Sequence, residues 1–243
     1  MRTSPQPART TTSRCSLGGS TPCCTASFET LPVGSRTVVT EASDTRRLRS
    51  NERREQLLAV AAGLFADGGY EATTMDRVAL AAGVTKPLLY QHFESKHALY
   101  EEIVTSAATT LLDELSIAAP PEVSPREKVE RGLSAYFTAM LGDDASFRLL
   151  LAESTDEDVA RHLDSIERAL IEFVDPLIDA GLEPEHRKLL AAAVVGTAKS
   201  SAAFWFDEHG TAPDDGTRTV VADRLASRCA QLVWGGLRSV GRS

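Results

Sequence analysis

Between Thr73 and Lys96 the chain gathers side chains that can donate to phosphates and base edges: Thr74, Lys86, Tyr90, Gln91, His92 and Lys96, with Pro87 and Leu88 among them. Hydroxyl, ammonium, amide and imidazole groups in this pattern offer hydrogen bonds, and the two apolar residues could meet thymine methyls. Five arginines (Arg46, Arg47, Arg49, Arg53 and Arg54) precede the set. Such a run is either a solvated face or a source of sequence-independent attraction to a polyanion. Bond-breaking chemistry has no comparable signature. The sequence holds no GxSxG, HExxH, P-loop or glycine-rich dinucleotide turn. His92, His97, His162, His186 and His209 are scattered, none at metal-ligand spacing to a cysteine. No catalytic residue, metal or cofactor is assigned, and an enzyme is not expected.

The elements that must position these groups are helical. From about Arg46 the apolar residues recur at helical spacing, with no alternating strand, and about nine helices are expected. A first helix over residues 49–67 places Leu57, Leu58, Ala61, Ala62, Leu64 and Phe65 on one stripe, and Gly68-Gly69 ends it. A second, over residues 75–82, starts at Thr73-Thr74, with Asp76 at capping-box distance from Thr73. It turns its Met75, Val78, Ala79 and Ala82 inward. Gly83-Val84-Thr85 then makes a turn tight enough to need φ > 0, which Gly83 adopts without penalty. In a third helix, over residues 85–93, Leu89 and Phe93 face in, so Pro87, Leu88 and Gln91 face out, flanked by Lys86, Tyr90 and His92. Two short helices around a glycine corner form a helix-turn-helix.

The ordered set Gly68-Gly69-Tyr70, Thr73-Thr74-Met75, Val78-Ala79, Ala82-Gly83-Val84-Thr85-Lys86, Leu89-Tyr90-Gln91-His92-Phe93 and Ser95-Lys96 resembles the tetracycline-repressor-like (TetR) family of bacterial transcription regulators. The match covers residues 53–99. The resemblance implies that Lys86, Pro87, Leu88 and Tyr90 lie in the base-reading stretch of the major groove. It also implies that Thr74, Tyr90, His92 and Lys96 meet phosphates. Thr74 could equally be a plain helix cap and His92 an incidental surface histidine. Many relatives carry a small or hydroxylated residue where this chain has Leu88, so a base preference there is not transferred.

Charge divides the same way. Residues 46–97 carry a net +2 and residues 98–243 a net −11, while residues 1–45 carry +1, within a total of −8. The Ser-, Thr-, Pro- and Arg-rich start to residue 45 has no sustained period and is expected to be disordered. It is either an upstream extension or a basic arm that grazes nucleic acid. Cys15, Cys23, Cys24 and Cys229 make no disulfide framework, which suits a reducing cytoplasm. No apolar run is read as reaching the ~18–20 residues of a membrane span, and no membrane partner is expected.

The expected architecture is all-α: a three-helix DNA-binding domain (46–97), then a larger helical domain (98–243) for effector binding and dimerisation. Ser124-Pro125-Arg126-Glu127 reads as a capping box, and Pro184 opens a long helix to about His209. Aromatic and apolar residues in the body are either plain core or the lining of an apolar cavity. Tyr136, Met140, Phe147, Arg148, His162, Phe173 and Phe204 are the candidates for a small apolar or amphipathic effector. The resemblance implies that the last two helices pair with their symmetry mates; otherwise they are the core of a monomeric bundle. The expected function is a homodimeric repressor of a palindromic operator in double-stranded DNA, released when the effector tilts the fourth helix. An activator, or a DNA binder without effector, fits the same residues. An all-helical enzyme or carrier is the remaining rival.

Overall fold

The structure is a computed structural model describing residues 38–142, 144–178, 181–210 and 212–240, with side chains described from Asn51 to Gly236 except that of Asp215. The disordered reading of residues 1–37 and the side chains of Arg46, Arg47 and Arg49 lie outside the described residues. Residues 1–43 and 44–243 separate as compact units; the second carries everything below.

Among the described residues there are nine α-helices and no strand: α1 (Val38–Ala72), α2 (Met75–Ala81), α3 (Lys86–His92), α4 (Lys96–Ala118), α5 (Pro125–Met140), α6 (Ala145–Arg148), α7 (Glu157–Val174), α8 (Pro184–His209) and α9 (Asp215–Val240). Short 3-10 turns follow α6 (Leu149–Leu151) and α7 (Asp175–Leu177). The first helix begins at Val38, within the stretch expected to be disordered. Its Ser/Thr content misleads, because neither Gly nor Pro interrupts the sequence from Val38 until Gly63. The expected glycine break is present as a kink. Gly69 has φ 78° and ψ 164° inside α1, a conformation closed to side chains.

The kink turns Tyr70 back into an aromatic cluster. The ring of Tyr100 on α4 meets Phe65 edge-on at 5.2 Å and Tyr70 at 5.1 Å. Tyr100 is buried, and desolvation pushes its phenol up to about 12. Leu57, Val78, Leu89 and Phe93 complete the packing that fixes α3 on α1 and α2.

Arg54 is not the free phosphate-seeking cation its place in the arginine run suggested. Its guanidinium makes a fork to Glu102 on α4 at 2.9 and 2.5 Å, donates to the His92 carbonyl at 2.7 Å, and lies 4.4 Å from the Phe93 ring centre. One side chain thus ties α1 and α4 to the end of α3. We expect Arg54→Ala to destabilise the fold by about 2 kcal/mol, summing a half-exposed ion pair, a charge-assisted hydrogen bond and a cation–π contact. Because Lys lacks the planar fork, Arg54→Lys should recover only part of it. Thermal melts of the two variants check this; equal melting temperatures for wild type and Arg54→Ala would contradict it.

In the body, α4 packs on α5 and α7, and α5 lies along α9. The capping box forms as expected, with Ser124 Oγ accepting from Glu127 N at 3.3 Å and Glu127 Oε2 accepting from Ser124 N at 3.2 Å. The reading that no apolar run suffices to span a membrane needs correction, since α8 is long and apolar enough by length and composition. Its polarity is hidden: Thr197 and Ser201 donate their hydroxyls back to the carbonyls of Ala193 and Thr197, both at 2.7 Å. Lys199 pairs with Glu167 at 2.6 Å. One side of α8 buries Ala191, Val195, Ala198 and Ala202, and another leaves Leu189 and Phe204 exposed.

Candidate nucleic-acid interface and cavity

Thr74 caps α2, its side chain accepting from Arg77 N at 3.2 Å. The Thr73–Asp76 capping box does not form. Thr73 is buried and donates its hydroxyl to the Gly69 carbonyl at 2.9 Å, while Asp76 turns to Lys86. Gly83 has φ 65°, and Val84 N donates to the Ala79 carbonyl at 3.0 Å, closing the corner into α3. With Leu89 and Phe93 buried, Lys86, Pro87, Tyr90 and Gln91 are exposed on the far side. Leu88 and His92 are half-buried beside them. Tyr90 is 44% exposed, high for a large aromatic residue within a packed helix pair.

Two lysines of the candidate face already have partners. Lys86 Nζ lies 2.9 and 3.0 Å from the two carboxylate oxygens of Asp76, which raises its pKa. Lys96 Nζ donates to the Tyr70 carbonyl at 2.9 Å and sits 4.0 Å from that ring's centre. Lys96 therefore fastens the kinked end of α1, whatever else it meets. Ser95 caps α4 by accepting from Ala98 N at 3.0 Å.

The end of α1 is also clamped to the body. Glu71 Oε1 accepts from Ser154 Oγ at 2.7 Å, Thr155 N at 3.0 Å and Thr155 Oγ1 at 3.1 Å, just before α7. Asp67 pairs with Arg148 at 2.8 Å. Hydrogen bonds from Ser154, then from backbone amides, lower the Glu71 pKa from 4.5 to about 2. A carboxyl with a depressed folded pKa stabilises fully above its unfolded value and loses that contribution as pH falls through the folded one. The clamp is thus intact above about pH 4.5 and gone near pH 2. Over that window wild type should lose stability relative to Glu71→Gln. Parallel acid-unfolding curves would contradict this.

The body holds an apolar cavity of about 80 Å³, partly open to solvent, between α4, α5, α7 and α8. Val129, Leu133, Leu170 and Val195 form its walls, and Lys128 is the one charged residue among the described residues that line it. A smaller space of about 20 Å³ shares Tyr136, Leu170 and Val195 with it and reaches the Glu167–Lys199 pair. Arg187 on α8 holds the Asp175 carboxylate at 2.9 and 3.0 Å, pinning the turn that carries Leu177 and Ile178 into the wall. That guanidinium lowers the Asp175 pKa.

Of the seven residues expected at an effector site, Tyr136 and Phe173 line the cavity. Met140 (0% exposed) and Phe147 are packed in the core. Arg148 serves Asp67, His162 Nε2 lies 3.0 Å from Thr105 Oγ1, and Phe204 is 64% exposed. Sequence reasoning weighted aromatic and polar residues. It missed Lys128, Val129 and Gly132, whose only signal is their one-face spacing on α5.

A glycine-cornered helix-turn-helix with an outward donor face, joined to a helical body with an apolar cavity, defines a ligand-responsive class of DNA-binding protein. Comparison with known proteins narrows it. Residues 57–103 match the family described as bacterial regulatory proteins, tetR family. The HTH-type transcriptional activator FasR of Mycolicibacterium smegmatis is 32% identical over 198 residues, covering 80% of this chain and 87% of that protein. The HTH-type transcriptional repressor KstR2 of Rhodococcus jostii is 33% identical over 116 residues, 48% of this chain and 54% of that protein. The crystal structure of the transcriptional regulator FadR from Bacillus subtilis in complex with stearoyl-CoA shares the fold, with TM-score 0.61 at 15% identity over 74% of this chain and 96% of that one. The chain belongs to the TetR family of bacterial transcriptional regulators.

Proposed function

We propose that the chain binds a palindromic operator as a homodimer through residues 46–97 and is released by an amphipathic effector held in residues 98–243. The observation that carries this is the face of α3: Lys86, Pro87, Tyr90 and Gln91 exposed over a buried Leu89–Phe93 anchor. Thr74, His92 and Lys96 flank it toward the phosphates, and Leu88 lies within the reading stretch. Exposed Leu189 and Phe204 on α8, with Val220 and Leu232 on α9, give the apolar surface that a second copy covers. Dimerisation sets two α3 helices about one DNA turn apart, ~34–36 Å. Binding the chromosome places the protein in the cytoplasm, and the role is regulation rather than catalysis.

The cavity's apolar lining suits the end of an apolar chain, with Lys128 available to an anionic head. The stearoyl-CoA held by the Bacillus FadR fits that description. Coupling runs along α7, whose C-terminal half lines the cavity through Leu170, Phe173 and Val174 and whose start is clamped by Glu71. Effector that shifts α7 pulls on α1 and α4 and changes the spacing of the two α3 helices. Because coupling is reciprocal, operator must weaken effector binding by the same factor. Titrating stearoyl-CoA with and without operator duplex tests this; equal affinities in the two titrations would defeat the release mechanism.

A second reading is favoured by one observation: the long-matching FasR of Mycolicibacterium smegmatis is named an activator. The same operator binding activates or represses according to where the site lies. Transcription in vitro from the mapped promoter, with and without the protein, decides the sign.

A further inference from the structure

We propose that Asp76 is a specificity-determining residue, holding Lys86 as a buttressed reader of one base pair in each half-site instead of leaving it to a phosphate. The inference rests on α3 entering the major groove, as proposed above. Lys86 is the first residue of α3 and Asp76 lies in the first turn of α2, so the pair bridges the two helices of the motif. Both side chains are largely exposed, and both carboxylate oxygens stand within 3.0 Å of Nζ. Tyr90 is close enough to contribute to the Lys86 potential, so the pair shares the α3 face that meets DNA.

A carboxylate on a surface that approaches a polyanion is repelled unless its charge is met. Here Lys86 meets it, and the pair enters the groove with no net charge. Two consequences follow. An ammonium that shares one N–H between the two Asp76 oxygens keeps two donors held in a fixed direction, enough for the O6 and N7 acceptors of one guanine. A compensated lysine also gains little from neutralising a phosphate, so it releases no counterion there. Asp76 thereby turns a general phosphate-seeking cation into a short, aimed donor, and its own charge penalises any register that brings it against the backbone.

The experiment compares wild type, Lys86→Ala and Asp76→Asn on the operator recovered by wild type from a random duplex pool and on every single-base variant of it, across a salt series. Lys86→Ala should lose about tenfold discrimination at one base pair per half-site and bind every sequence more weakly, because it leaves the Asp76 carboxylate unmet. Asp76→Asn should lose discrimination at that same pair while binding all sequences more tightly, its slope steepening by about one per half-site as freed Lys86 takes a phosphate. Two results would overturn the proposal. One is Asp76→Asn with base preferences and slope like wild type; the other is Lys86→Ala with a reduced slope and intact preferences. If wild type recovers no sequence at all, the groove-binding reading fails and the proposal falls with it. Circular dichroism melts accompany each variant, and an exposed pair should shift them little.

Discussion

Tyr90→Ala should bind operator about a hundredfold more weakly than wild type, at an unchanged melting temperature. The physical grounds are position and exposure. Tyr90 projects from α3 at 44% exposure, while its neighbours Leu89 and Phe93 are buried and hold the helix to the body of the motif. In the proposed operator complex, removing the phenol takes away a donor to phosphate and an apolar surface beside the base edges in both half-sites. A charge-assisted hydrogen bond contributes ~1.5 kcal/mol or more, so two lost copies amount to about 3 kcal/mol, near a hundredfold. Anchor residues behave in the opposite way. Phe93→Ala empties a core site and costs ~3–5 kcal/mol of stability, so its binding defect comes with unfolding. A melting temperature for Tyr90→Ala that falls as far as that of Phe93→Ala would show that Tyr90 is a packing residue. Fluorescence anisotropy on the operator and calorimetric melts supply both numbers.

Gly132→Leu is the second large expected effect: under the proposed effector site it should abolish binding of stearoyl-CoA while leaving operator binding intact. Gly132 sits on α5 in the cavity wall, and a Cβ built there meets nothing within 4 Å. A leucine side chain fills space that the ligand needs, so stearoyl-CoA affinity should fall at least about a hundredfold, as expected when a steric block removes the pocket. Stability should rise, because glycine inside a helix costs about 0.5–1 kcal/mol relative to alanine. Retained ligand affinity in Gly132→Leu would move the effector site elsewhere in the body. Loss of operator binding in the same variant would mean that the cavity must be empty or flexible for DNA recognition, contrary to the release mechanism.

The helix-turn-helix was legible because its signals are local. Gly83 supplies the left-handed corner, Leu89 and Phe93 repeat at i and i+4, and the outward face follows by subtraction. Side-chain pairings were less so. The Arg54 fork to Glu102 and the Glu71 clamp on Ser154 and Thr155 join residues 48, 83 and 84 apart, and no periodicity announces such partners. An apolar cavity was expected, and Tyr136 and Phe173 do line it, but the rest of its lining eluded the reading for a related reason. Aromatic residues drew attention, yet Met140 and Phe147 fill the core completely, and the space is left by residues that are small or slightly short, such as Gly132 and Ala198. A void is a property of several helices at once. The start of α1 was misplaced because composition was weighed above the absence of breakers between Val38 and Gly63.

The account stands on α3 reading DNA in duplicate. Selecting bound duplexes from a fully random pool with the full chain, then sequencing them, tests this most directly. The predicted outcome is an inverted repeat whose half-site centres lie about one helical turn, ~10 bp, apart, lost on substituting Tyr90. A pool that stays random after repeated rounds at physiological salt, or an enriched site that Tyr90→Ala binds as well as wild type, would contradict it.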